Sequence, residues 1–172
     1  MRTSNAIESQ LTFRSMLEDD AHRTANSLLR SGGLARLLDD SEFRRYLFRS
    51  TKKLPIDGMP NEYAEFNESA ILLGNSFELI GGMVRNKIVP EALFLQNYWW
   101  VVVNQWERLE GWIALLREYS GSQGMYEDFE FLTVLSRQWS SKHPDSYARS
   151  VPHIPLTNRF PLQAESWLHE QP

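Results

Sequence analysis

The chain has no cysteine among its 172 residues, so disulfides, thiolate nucleophiles, cysteine-bound zinc and iron–sulfur clusters are excluded together. That absence fits a reducing compartment. A basic excess is missing as well: 18 basic against 22 acidic side chains give a net charge of −4, the wrong balance for a dedicated nucleic-acid binder. No apolar run reaches the roughly 20 residues that cross a bilayer. The most apolar region, 92–103, contains Gln96 and Asn97 and is too short. Met1-Arg2-Thr3-Ser4-Asn5 leads into a polar, periodic segment rather than a signal core. The expectation is a cytoplasmic protein without a membrane span.

Catalytic signatures are equally scarce. There is no Gly-x-Ser-x-Gly elbow, no His-Glu-x-x-His pair and no Glu-x-x-His of the di-iron type. Gly81-Gly82 lacks the preceding strand and following Gly-Lys-Ser/Thr of a phosphate loop. No metal site, cofactor site or catalytic residue is assigned.

What the chain does have is aromatic mass: six Trp, six Tyr and nine Phe, within 42% apolar and 23% charged residues. The length and composition suit one domain with a substantial core. Apolar residues recur at helical steps along nearly all of it. A first helix runs from a cap at Ser4 or Asn5 to about Arg30, with Gly32-Gly33 as its stop. Leu34, Leu37 and Leu38 form a short turn. Asp40-Ser41 then caps a second helix that ends near Thr51 and buries Phe43, Tyr46 and Leu47. The 53–60 segment, with two prolines and a glycine, is a loop.

Asn61 caps a third helix, whose stripe is Tyr63, Phe66, Ala70, Leu73, Phe77 and Ile80, and Gly81-Gly82 ends or loosens it. The fourth helix, Pro90 to Tyr119, carries Leu95, Trp99, Val102, Trp106, Leu109, Ile113 and Leu116 at alternating steps of four and three. A strand over 98–103 is the rival reading, rejected because the helical period continues on both sides. Its six consecutive apolar residues cover every face, which places the segment centrally or in an oligomer interface. A fifth helix holds Met125, Phe129, Leu132, Leu135 or Ser136, and Trp139, and His143-Pro144 closes it. The pattern predicts an all-α domain over 1–149, with about five main helices in a bundle-like or orthogonal array. A proline-rich C-terminal arm, 150–172, follows; it packs through Ile154, Leu156, Phe160 and Trp167 or is partly disordered.

Two groups of residues are candidate sites. Arg44, Arg45, Arg49, Lys52 and Lys53 form a basic patch able to hold phosphate or an acidic partner. The same helix opens with Asp39, Asp40 and Glu42, so the arrangement also complements the helix dipole. Glu78, Trp99, Trp100, Trp106 and Tyr126 would line a ligand pocket between the third, fourth and fifth helices. Glu78 is placed to meet Arg85 or Arg117 in a partly buried ion pair. His22, His143, His153 and His169 belong to no metal pattern, and His22 reads as a surface histidine. Glu107 and Glu110, and Glu127, Asp128 and Glu130, read as solvated faces.

The stretch Phe77-Glu78-Leu79-Ile80-Gly81-Gly82-Met83-Val84, with Ile88-Val89-Pro90-Glu91-Ala92-Leu93-Phe94 after it, resembles an uncharacterised family of small bacterial helical domains. So do Trp106 followed by Arg117, and Tyr126-Glu127-Asp128-Phe129-Glu130-Phe131-Leu132. The resemblance covers about residues 60–140. It implies a Phe-Glu-x-Ile-Gly helix, a turn, a long Trp-bearing helix and a Tyr-x-x-Phe-Glu helix. It implies no activity, and it places Phe77, Glu78, Gly81, Tyr126, Phe129 and Glu130 at packing and ion-pair positions. Many members carry an N-terminal apolar helix as a membrane tether, which this sequence lacks.

Three functional readings stay open: a non-enzymatic interaction or regulatory domain that self-associates or binds a protein partner, a small enzyme or ligand-binding protein using the aromatic pocket, and nucleic-acid or acidic-partner binding through the 44–53 patch.

Overall fold

The computed structural model describes residues 11–143, apart from 12, 16 and 31. Among them all regular structure is helical. The helices are α1 (Asp20–Arg30), α2 (Gly33–Asp39), α3 (Ser41–Thr51), α4 (Asn61–Arg85), α5 (Glu91–Ser120) and α6 (Glu127–Lys142). Residues 11, 13–15, 17 and 18 are also helical. The expected arm at 150–172 lies outside the described residues, as does the cap expected at Ser4 or Asn5.

Three boundaries differ from the sequence reading. The first helix is not continuous to Arg30: the chain bends at Asp19, whose carboxylate accepts the Ala21 N–H at 3.1 Å and starts α1 afresh. Leu34, Leu37 and Leu38 lie within a seven-residue helix rather than a turn. The third predicted helix does not stop at Gly81-Gly82. It continues to Arg85 as α4, because these glycines serve a helix crossing rather than a terminus. Two more expectations shift slightly: the N-cap of α4 is Pro60, with Asn61 its first helical residue and no side-chain cap bond, and Met125 lies before α6. Asp40 caps α3 by accepting the Glu42 N–H at 2.9 Å. Residues 98–103 are helical within α5, and Gly121 at φ 73 closes that helix in the left-handed conformation.

The expected stripes face inward. All six residues from Tyr63 to Ile80 on α4 are buried, and so are Leu95, Val102, Trp106, Leu109 and Ile113 on α5, while Trp99 and Leu116 are half-buried. Helix α6 packs along both α4 and α5, α1 lies along α4, and α2 and α3 cover α5. Large rings fill the joints. Phe129 of α6 sits 5.0 Å from Phe77 of α4 and 5.0 Å from Trp106 of α5, measured between ring centroids. Trp112, wholly buried in α5, donates its indole N–H to Asn67 Oδ1 of α4 at 3.0 Å, so a buried donor is satisfied by a buried acceptor. Each large apolar side chain buried this way contributes roughly 1.5–3 kcal/mol before conformational entropy is subtracted.

Candidate functional site

Chemistry-bearing side chains converge where the first turn of α6 meets α4. Glycines at 74, 81 and 82 allow the approach. A Cβ on Gly74 would lie 2.9 Å from the Tyr126 ring, and one on Gly81 would lie 2.1 Å from the Asp128 carbonyl oxygen. Tyr126 precedes α6 at φ 59, a left-handed conformation disfavoured for a residue with a Cβ. Its side chain holds it there: the ring packs 5.5 Å from Trp112, and the hydroxyl donates to Asn75 Oδ1 at 3.2 Å. Burial, and then the charge of Glu78, push the Tyr126 phenol up to about 12.

Glu78 does not pair with Arg85 or Arg117. Its Oε2 accepts the backbone N–H of Phe129 at 2.9 Å, so a side chain of one helix satisfies a first-turn donor of another. Burial raises the Glu78 pKa, opposed by that N–H and reinforced by Asp128. The cations go elsewhere. Arg85 meets Glu127 at 2.6 Å and Asp128 at 2.7 Å, with its guanidinium 4.9 Å above the Phe131 ring. Arg117 reaches back from α5 to Glu130 at 2.7 Å and to the Met125 carbonyl at 2.9 Å. Acid in the first turn of α6 also suits the positive end of its dipole. Among the residues that carried the family resemblance, Glu78, Gly81, Asp128 and Phe129 join α4 to α6, and Arg117 and Glu130 join α5 to α6.

The domain of unknown function DUF4760 matches residues 4–136. The chain belongs to that family. Among curated proteins and among solved structures, none matches. Within this DUF4760 domain Glu78, Gly81 and Tyr126 serve the helix junction just described, and behind it Phe77 stacks on Phe129 while Trp106 meets Phe129 nearly at right angles.

The structure brings together three of the five residues expected to line a pocket: Glu78, Trp106 and Tyr126 all meet the 126–129 segment. They pack against protein groups there. Trp99 and Trp100 lie about two turns earlier on α5, the first half-buried and the second 52% exposed. The basic patch is partly consumed by local bonds. Arg44 donates to the Leu38 carbonyl at 2.7 Å, Arg49 donates to the Pro55 carbonyl, and Arg45 lies 3.4 Å from Glu42. Lys52 and Lys53 remain exposed.

His22 departs from the surface position expected of it. It is buried between α1 and α4, with Nε2 2.7 Å from Ser76 Oγ and Nδ1 3.6 Å from Asp19. The line Asp19–His22–Ser76 resembles a catalytic triad in composition only. The Ser76 hydroxyl also lies 2.8 Å from the Leu72 carbonyl, an acceptor that competes with the imidazole for its single proton. Sequence carries no signal for this contact, because 54 residues separate the partners.

Among the described residues no group of histidine and carboxylate side chains is arranged to hold a metal ion. Among them, too, no helix is long and apolar enough to cross a membrane.

Proposed function

We propose that this domain is a non-enzymatic interaction or regulatory module that self-associates through one face of α5. The observation that carries this is Trp100, about half exposed in the middle of a stretch, 92–106, that contains no charged residue in fifteen positions. The exposed positions around it are Ala92, Gln96, Asn97 and Asn104; Ala92, Gln96, Trp100 and Asn104 step by four and Asn97 lies three before Trp100, so they share one side of the helix. Interface centres are depleted in charge and enriched in tryptophan. An uncharged face also suits a second copy of itself, since a two-fold contact sets like against like and a charged face would repel.

The test is molar mass by light scattering at micromolar concentration, for the wild type and Trp100→Glu. The wild type is expected above the 20.1 kDa of one chain, and the variant at that mass with unchanged helical circular dichroism. A wild type that stays monomeric overturns the reading.

A further inference from the structure

We infer that the groove between α1 and α4 docks a cationic amphipathic helix of a partner protein. The groove is an open hollow of about 810 Å³, with Ala21, Ala25, Leu28 and Leu72 among hydroxyl side chains in its lining and Glu65 and Glu68 on its α4 side. An adjoining hollow of about 410 Å³ shares Leu28 and Glu65, and carries the trough past Glu62 towards Gly32. It therefore runs the length of the 11-residue α1, roughly 16 Å or three helical turns. The two alanines keep the α1 side of the floor low, so a second helix can approach closely.

The rim identifies the visitor. Glu62, Glu65 and Glu68 step by three along α4, and like charges at that spacing repel each other. Glu62 is answered by Arg36 at 3.5 Å. Glu65 and Glu68 are exposed and have no cationic partner among the described residues. A helix carrying lysine or arginine beside an apolar stripe would neutralise both carboxylates while covering the floor, the arrangement by which amphipathic helices occupy grooves. A polyanion such as RNA is disfavoured by the same carboxylates. A second copy is a poor occupant: its basic helix α3 already buries its apolar side, Phe43, Tyr46 and Leu47, in its own core. The groove is separate from the Trp100 face, and the inference does not require self-association.

The experiment is a fluorescence-anisotropy titration of the full chain with a labelled peptide of roughly 18 residues, built from lysine, leucine and alanine with one apolar stripe. A scrambled peptide of the same composition, lacking the stripe, is the reference. The striped peptide is expected to bind at least about tenfold more tightly than the scramble, and Glu65→Lys with Glu68→Lys is expected to remove most of that advantage. Ala21→Trp, at an exposed position, fills the groove without touching the charges and is expected to weaken binding by about tenfold while circular dichroism is unchanged. No binding, equal binding of the scramble, or an Ala21→Trp variant that binds as well as wild type overturns the inference. Light scattering on the same samples separates the two ideas, because a monomer that still binds the striped peptide removes only the α5 reading.

Discussion

Gly81 of α4 lies so close to Asp128 of α6 that a Cβ on the glycine would stand 2.1 Å from the aspartate's backbone carbonyl oxygen. No rotamer change relieves a clash with backbone, so the two helices keep this separation only while residue 81 has no side chain. Gly82, its neighbour, faces the Asp128 carboxylate, and the ion pair from Arg85 to Asp128 tightens the same joint.

Gly81→Ala is therefore expected to destabilise the domain by about 2 kcal/mol or more, since forced separation of α4 and α6 exceeds the roughly 1 kcal/mol gained in helix propensity. Gly111→Ala is the counter-case. Its Cβ would meet only the flexible end of Leu38, at 3.1 Å, so a small stabilisation of up to about 1 kcal/mol is expected. Urea unfolding of both variants checks the pair; a Gly81→Ala protein as stable as wild type contradicts the account of the joint.

Glu78→Ala leaves the N–H of Phe129 without its acceptor and is expected to cost about 1–3 kcal/mol. Glu78→Gln keeps an acceptor oxygen and removes a charge that burial disfavours, so it should be nearly neutral at pH 7. The raised carboxyl pKa fixes the sign: the contribution of Glu78 is fullest below its unfolded value and falls as pH rises through the folded one. The glutamine variant should gain on wild type over that rise. Denaturation midpoints on either side of it decide the matter.

Tyr63 donates its hydroxyl to the Asp40 carboxylate at 2.7 Å, tying the α3 cap to α4. This bond, followed by the Glu42 N–H, holds the Asp40 pKa below its usual 3.8, and the same bond raises the Tyr63 phenol to about 12. Stability from the lowered aspartate is present above its unfolded value and is lost as pH falls through the folded one. Stability from the raised tyrosine is present below about 10 and is lost as pH rises towards about 12. Tyr63→Phe should therefore be weaker than wild type across the neutral range, with the gap narrowing at both extremes. A gap that stays constant from about pH 3 to 11 would refute the coupling.

Arg117, with 17% of its side chain exposed, bonds to both Glu130 and the Met125 carbonyl, and so spans the turn between α5 and α6. Arg117→Ala is expected to lose about 1–3 kcal/mol, and Arg117→Lys to recover only part, because an ammonium on a flexible stem does not reproduce the two-armed geometry. Thermal melts of the two variants order them; equal loss in both would mean that charge contributes nothing here.

Much of the fold was legible in the chain because it rests on local rules. The three- and four-residue steps from Tyr63 to Ile80 and from Leu95 to Ile113 became the buried faces of α4 and α5, and Asp40-Ser41 became a cap. The misreadings have one cause. Gly81-Gly82 and His22 are read in the sequence by what their residue types do in isolation, whereas each is governed by a neighbour brought in by folding. Glycine commonly ends a helix, yet at Gly81 the partner is Asp128, 47 positions away, and close approach decides instead. The candidate site divides the same way. Glu78, Trp106 and Tyr126 all meet the 126–129 segment, but their contacts with the Phe129 N–H, the Phe129 ring and Asn75 are not readable from spacing.

The amino-acid sequence by itself determined the all-helical class and the inward faces, because helical periodicity and side-chain apolarity act within a few turns of chain. It also set the absence of cysteine chemistry. Tertiary structure alone decided that Glu78 would satisfy a first-turn donor of α6, that His22 would be buried against Ser76, and that Glu65 and Glu68 would border an apolar trough. Those outcomes depend on which surfaces meet, and hydrogen bonds, desolvation and close packing act over a few ångströms between segments that the sequence holds far apart.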